Sequence, residues 1–277
     1  MNELLLSLIN FSVKEELKNS SNISDSVAHL DKSQYDKFKY KSYLTTLSLF
    51  GDTLPDKNEF PPFLTSLYLP YFSKKLTPTN LPNTITTLTF GDNFNQVVLP
   101  GTLPNSLTTL TLVSDFNKVV LPGTLPNSLT TLTFGHRFNQ VVSPITLPNS
   151  LTQLTFSHNY NHIVLPYTLP DNLTTLTFGH YFNQVVLPGS LPNSLTTLTF
   201  GFGFNQVVQP GILPNNLTTL RLGYSFNQVV LPDTLPNSLT TLIFGQRFNQ
   251  VVPPGTLPNS LTILIFSHEF ENLFDIQ

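Results

Sequence analysis

Three histidines stand 22 residues apart, at His136, His158 and His180. Equal spacing brings side chains together only if the intervening residues close one turn of a regular coil, which would set the imidazoles about 5 Å from one another. A row of imidazoles suggests a metal site, acid–base chemistry or a recognition surface. Zinc asks for a tetrahedral ligand set, and the chain has no cysteine and no carboxylate placed in the period to complete one. The carboxylates of the same region, Asp92, Asp115, Asp171, Asp233, Glu269 and Asp275, are scattered without an evident acid–base pair. Ser106, Ser128, Ser150, Ser194, Ser238 and Ser260 recur at one place in the period, which marks a structural role rather than a nucleophile with its own base. No glycine-rich phosphate loop is present. The chain therefore reads as a non-enzyme, with no catalytic residue, no metal and no cofactor expected.

The histidines belong to the one pair of positions that changes from copy to copy. That pair runs Asp92-Asn93, Ser114-Asp115, His136-Arg137, His158-Asn159, His180-Tyr181, Phe202-Gly203, Tyr224-Ser225, Gln246-Arg247 and His268-Glu269. A position freed from packing can drift, or it can be tuned for contact. Aromatic, Arg and His side chains on a rigid scaffold are what recognition surfaces use. The candidate contact strip is His136, Arg137, His158, His180, Tyr181, Phe202, Tyr224 and Arg247.

A regular repeat must position them. Leu-Pro recurs at Leu81, Leu103, Leu125, Leu147, Leu169, Leu191, Leu213, Leu235 and Leu257, always 22 residues apart. Eight full units cover 81–256 and a partial unit or cap covers 257–277, with two irregular repeats at 44–80 and an N-terminal cap at 1–43. In Leu129-Thr130-Thr131-Leu132-Thr133-Phe134, the last four residues alternate, so Leu132 and Phe134 share one face and Thr131 and Thr133 the other. Two prolines per unit forbid a helical return. The predicted fold is an all-β parallel solenoid of eleven turns with extended, polyproline-like returns.

Two columns should fill its interior: Phe90, Phe134, Phe156, Phe178, Phe200, Phe244 and Phe266, and a second running from Phe94 through Phe116, Phe138, Tyr160, Phe182, Phe204, Phe226 and Phe248 to Phe270. Asn follows the second column from Asn95 to Asn249, where an amide can bond the coils on either side. Glu3–Lys18 reads as an amphipathic helix with Leu4, Leu5, Leu8, Phe11 and Leu17 on its apolar face, followed by a polar stretch.

Leu129-x-x-Leu132-x-Phe134 followed by Phe138-Asn139-Gln140 resembles the FNIP repeat, a 22-residue relative of the leucine-rich repeat found mainly in social amoebae and amoeba-infecting giant viruses. The resemblance implies a leucine-rich-repeat-like solenoid that binds a partner protein. Because such proteins often carry an N-terminal F-box, it also implies an alternative, a substrate adaptor binding ubiquitin-ligase subunits through residues 1–43. Those residues lack the usual Leu-Pro opening of an F-box, and a cap over the first coil is the plainer reading. A third reading takes the outward Thr pairs (Thr87 and Thr89, Thr131 and Thr133) as an ice-binding lattice, which Gln153, Arg221 and Ile243 interrupt.

Composition narrows the partner. Charged residues make up 10% and the net charge is −3, which offers no electrostatic footprint for nucleic acid or an anionic membrane. No apolar run approaches a membrane span. Glu3 and Asn10 spoil a signal-peptide pattern, so an intracellular, cytoplasmic location is expected, in the host cytoplasm for a viral source.

Overall fold

One 22-residue unit closes one coil. The computed structural model describes residues 23–24 and 27–266, and the helix expected over Glu3–Lys18 lies outside them, as do His268, Glu269, Phe270 and Asp275. The repeat strands run from β3 (Thr46–Phe50) and β4 (Ser66–Leu69) through β5 (Thr87–Phe90), β6 (Thr109–Leu112), β7 (Thr131–Phe134) and β8 (Gln153–Thr155) to β13 (Ile263–Ile265). They pair in parallel and in chain order within one sheet of thirteen strands. Leu88, Leu110, Leu132 and Leu154 are direct register partners, so a 22-residue step shifts the register by nothing. Eleven such strands make about eleven turns of a leucine-rich-repeat-like solenoid.

The alternation decides which face is dry. Leu132 and Phe134 are buried while Thr131 and Thr133 stay half-exposed on the outer face of the sheet. Each Thr preceding a strand adds a fork: the Thr108 carbonyl accepts from the N–H groups of Thr130 (2.8 Å) and Thr131 (3.0 Å), and from Thr130 Oγ1 (3.1 Å). Ser128 Oγ donates to the Leu107 carbonyl one coil earlier at 2.6 Å, and the same bond recurs from Ser106 to Ser260. These serines are staples between coils.

Two turns make the return. Leu129 N–H donates to Pro126 O (3.0 Å), closing the Pro-Asn-Ser-Leu corner, and Thr124 N–H donates to Leu121 O (3.1 Å), closing Leu-Pro-Gly-Thr. In the second, Pro122 fixes the first central residue and Gly123 takes the positive φ (77°) that the next position requires. Three copies carry a side chain there instead: Ile145, Tyr167 and Asp233, each with φ 63°. Between the turns one valine of each pair faces inward (Val98, Val120, Val142) and its neighbour faces out (Val97, Val119, Val141).

Spacing between coils grows with distance from the sheet. Strands stand about 4.8 Å apart. Rings of the second aromatic column repeat every 6.0 to 6.3 Å, as in Phe116–Phe138 and Tyr160–Phe182. The stack therefore fans open behind the sheet and bends with the sheet on its inner side. From Phe90 to Phe248 the rings of both columns are buried, and they lock together within a coil, with Phe134 and Phe138 at 3.9 Å and Phe178 and Phe182 at 3.8 Å.

The sheet begins before the repeat does. Val27–Asp31 (β2), part of the polar stretch in the sequence reading, pairs in parallel with β3, and Ile23–Ser24 (β1) pairs antiparallel to β2. Ala28 and Leu30 supply its inward face. A short helix follows, α1 (Lys32–Lys37), capped reciprocally by Asp31 and Gln34. Its buried Tyr35 donates to the Glu59 carbonyl at 2.6 Å.

Candidate functional site

The variable pair sits on a backbone that does not vary. From Arg137 to Arg247 the N–H of the pair's second residue donates to the carbonyl of the preceding coil's first residue. Examples are Asn159 to His136 (3.1 Å), Tyr181 to His158 (2.9 Å), Gly203 to His180 (2.7 Å), Ser225 to Phe202 (2.9 Å) and Arg247 to Tyr224 (3.0 Å). The rim is thus pinned by main-chain bonds, and its side chains change without touching the coil. The glycine that often precedes the pair has a steric cause: a Cβ on Gly179 would stand 1.5 Å from the Ser157 carbonyl oxygen, and one on Gly201 would stand 1.7 Å from that of Gly179. The cause is the close approach of successive coils.

The structure sorts the eight candidate residues into two rows. His136, His158, His180, Phe202 and Tyr224 form the first. Their centroid distances are 5.4, 4.4, 4.5 and 4.2 Å, and the last three contacts are near-parallel stacks. Arg247, the second residue of its pair, reaches back to this row with its guanidinium carbon 5.5 Å from the Tyr224 ring centre. The histidines are thus as close as the coil spacing predicts. Among the described residues, no group of three or more His, Asp or Glu side chains is placed to hold a metal ion.

Arg137 and Tyr181 belong to the second row, one residue further on. Arg137 Nε lies 3.3 Å from Asp115 Oδ1, an exposed pair of little energetic weight. Tyr181 meets His158 at 5.1 Å and 88° and His180 at 4.8 Å and 76°. Tyr181 therefore stands nearly perpendicular to both imidazoles. Tyr181 is itself 55% exposed. His180 Nδ1 is buried in the row without a hydrogen-bond partner.

Each row borders a groove. On the sheet side an open hollow of about 360 Å³ runs past Thr133, Thr155, Thr177, His136, His158 and His180. On the other side a wider groove of about 880 Å³ has Asn117, Asn139, Asn161 and Asn183 as its floor, with Arg137 and Tyr181 among its lining. The floor is the expected Asn ladder. Asn117 Oδ1 accepts from Asn139 N–H (2.9 Å), Asn139 Oδ1 from Asn161 N–H (3.1 Å), and Asn161 Oδ1 from Asn183 N–H (2.9 Å). Sequence reading missed the brace beside it: in several coils the glutamine after the Asn donates to the same oxygen, as Gln140 Nε2 does to Asn117 (2.9 Å) and Gln184 Nε2 to Asn161 (3.1 Å), while His162 takes that place after Asn161 and meets the Asn139 carbonyl instead. The signal was present in the repeated Asn-Gln pair.

Coil closure, the Phe-Asn corner and the parallel sheet coincide with a known sequence family. The FNIP repeat model matches residues 56–93, 72–115, 116–159, 160–203, 204–247 and 248–277. The chain belongs to the FNIP-repeat family. No curated protein matches the FNIP-repeat chain. Among solved structures it is similar to CroV588, a giant-virus protein described as a novel circular leucine-rich-repeat structure, at 47% identity and a TM-score of 0.79 over 83% of this chain. The chain spans about a third (34%) of the length of CroV588. A leucine-rich-repeat protein from Eubacterium ventriosum is matched over 83% of this chain and 68% of its own, at 14% identity and a TM-score of 0.26. Among the described residues of this FNIP protein no helix is long and apolar enough to cross a membrane.

Proposed function

We propose that this solenoid is a non-catalytic protein-interaction scaffold that takes its partner along the variable rim, on His136, Arg137, His158, His180, Tyr181, Phe202, Tyr224 and Arg247. The observation that carries this reading is the stacked row from His158 to Tyr224, held at 4.2–4.5 Å on a pinned backbone. Rings already ordered by their neighbours lose little rotamer freedom when a partner covers them, which is how preorganisation raises affinity. Aromatic and Arg side chains are also those enriched in protein contacts. The N-terminal segment acts as a cap in this reading, supported by β2 and α1 packing on the first coil.

A photo-crosslinking residue tests the proposal when placed at position 202 on the rim and, separately, at 229 among the outward valines of the return. In extracts of the native cell, position 202 should give a discrete adduct that is lost on His158→Ala/Tyr224→Ala, while 229 gives none. Equal adducts at both positions, or adducts that survive the double substitution, would remove the rim from the account.

A further inference from the structure

At Asn117, Asn139, Asn161 and Asn183 the ladder engages the amide oxygen and leaves the amide nitrogen over. Both donors on each ladder step, the next coil's backbone N–H and the Gln Nε2 where present, go to the amide oxygen. Two donors on one atom fix that atom as oxygen and leave Nδ2 as the remaining donor. The Nδ2 groups of Asn117, Asn139, Asn161 and Asn183 bond nothing among the described residues, and these residues line the wide groove beside Tyr181 and Arg137. The groove floor is therefore a row of N–H donors with its acceptors already engaged.

The donors are evenly spaced. Each Asn directly follows a ring of the second column, whose repeat from Phe116 to Phe182 is 6.0, 6.2 and 6.3 Å. An extended polypeptide turns a carbonyl to the same side every second residue, about 6.6–6.8 Å. Over three intervals the two periods diverge by on the order of 1.5 Å, within the reach of side-chain amides and the twist of a strand. Nucleic acid fits poorly, since Lys118 and the already paired Arg137 are the cations nearby and a phosphate chain asks for many. Glycan hydroxyls need acceptors as well as donors, and the amide oxygens are committed to the ladder.

We infer that the groove over Asn117, Asn139, Asn161 and Asn183 binds an extended peptide segment of the partner, running along the solenoid axis. Its alternate carbonyls accept from the Asn Nδ2 groups, and an apolar side chain covers the exposed ring of Tyr181. The inference rests on the rim being the contact surface and names the partner chemistry at its second row.

Asn→Asp is the discriminating change. An Asp keeps an oxygen that accepts the ladder bonds and replaces the free donor with an acceptor. A displayed decapeptide library is selected on the full chain, and the enriched peptides are synthesised and titrated by fluorescence anisotropy. Selected peptides should carry an apolar residue to cover Tyr181, and Asn139→Asp/Asn161→Asp should weaken them at least tenfold. Tyr181→Ala, an exposed change that leaves the coil intact, should weaken them comparably, and Val229→Ala, on the outward side of the return, by less than twofold. Failure to enrich any peptide, or enrichment only on a glycan array or an oligonucleotide, overturns the inference. Peptides that bind the Asp variant undiminished but are lost with Tyr224→Ala sink the groove and leave the rim reading standing; loss with neither sinks both.

Discussion

Phe138 is fully buried, stacked on Phe134 at 3.9 Å and flanked by Phe116 and Tyr160 at 6.0 and 6.2 Å. Phe248 holds the same place near the C-terminal end and is equally buried, stacked on Phe244 at 4.0 Å. Replacing either ring by Ala opens the same cavity, at about 3–5 kcal/mol. The consequences should still differ, because each coil touches only its neighbours and stability is a sum of coil and interface terms. With Phe248→Ala the stack can shed its last coils and leave the rest folded, so the midpoint of urea unfolding scarcely moves while the amplitude and the slope shrink. With Phe138→Ala no such escape exists without giving up a large part of the solenoid. The whole transition should then fall by most of the 3–5 kcal/mol, or split in two. Circular dichroism in urea reads both quantities. Identical curves for the two variants, or a loss below about 1 kcal/mol for Phe138→Ala, would refute a dry core with nearest-neighbour coupling.

Gly201→Ala should be among the most damaging single methyl additions, since its Cβ would meet the Gly179 carbonyl oxygen at 1.7 Å; thermal melting should show a drop of more than about 2 kcal/mol. Ile145→Gly and Tyr167→Gly should each raise stability by up to about 1 kcal/mol, because relief of a left-handed backbone (φ 63°) outweighs the added freedom of the unfolded chain. Asn161→Ala removes the acceptor of the Asn183 N–H and of Gln184 Nε2 and should cost about 1–3 kcal/mol in urea titration, whereas Asn161→Asp keeps both bonds. Burial pushes the Tyr160 phenol well above its ordinary range, and burial with Glu59 and Asp36 nearby does the same for Tyr35. The folded state then holds protons that the unfolded chain releases, so stability is intact below the ordinary tyrosine range near pH 10 and falls as pH climbs above it. Tyr160→Phe should flatten that alkaline decline, measured as melting temperature against pH.

The coil was legible because its signals agree. Leu132-Thr133-Phe134 carries the strand alternation, Pro122 and Pro126 forbid a helical return, and nine equally spaced Leu-Pro pairs leave one way to stack. The Asn ladder followed from the same spacing. Other features were not legible, for physical reasons. Val27–Asp31 lacks the Leu-Pro and Phe-Asn marks, and it becomes a strand because β3 offers an unpaired parallel edge. The split of the candidate strip into two rows depends on which side of a pinned backbone each neighbour leaves, and adjacency in sequence hides that. Tyr167 in place of glycine looks like a neutral change until the turn fixes its φ. The free Nδ2 row depends on both ladder donors choosing one oxygen, which only the hydrogen-bond geometry reveals.

The central claim is that a constant stack carries a rim whose side chains serve contact and not folding. It is tested most directly by changing His136, Arg137, His158, His180, Tyr181, Phe202, Tyr224 and Arg247 together to Ser and measuring cooperative unfolding and partner retention on one preparation. The account predicts a single cooperative transition with a modestly lowered midpoint, since ring stacks are worth about 0.5–1.5 kcal/mol each, and no retained partner. Undiminished retention, or a chain that no longer unfolds cooperatively, would contradict it.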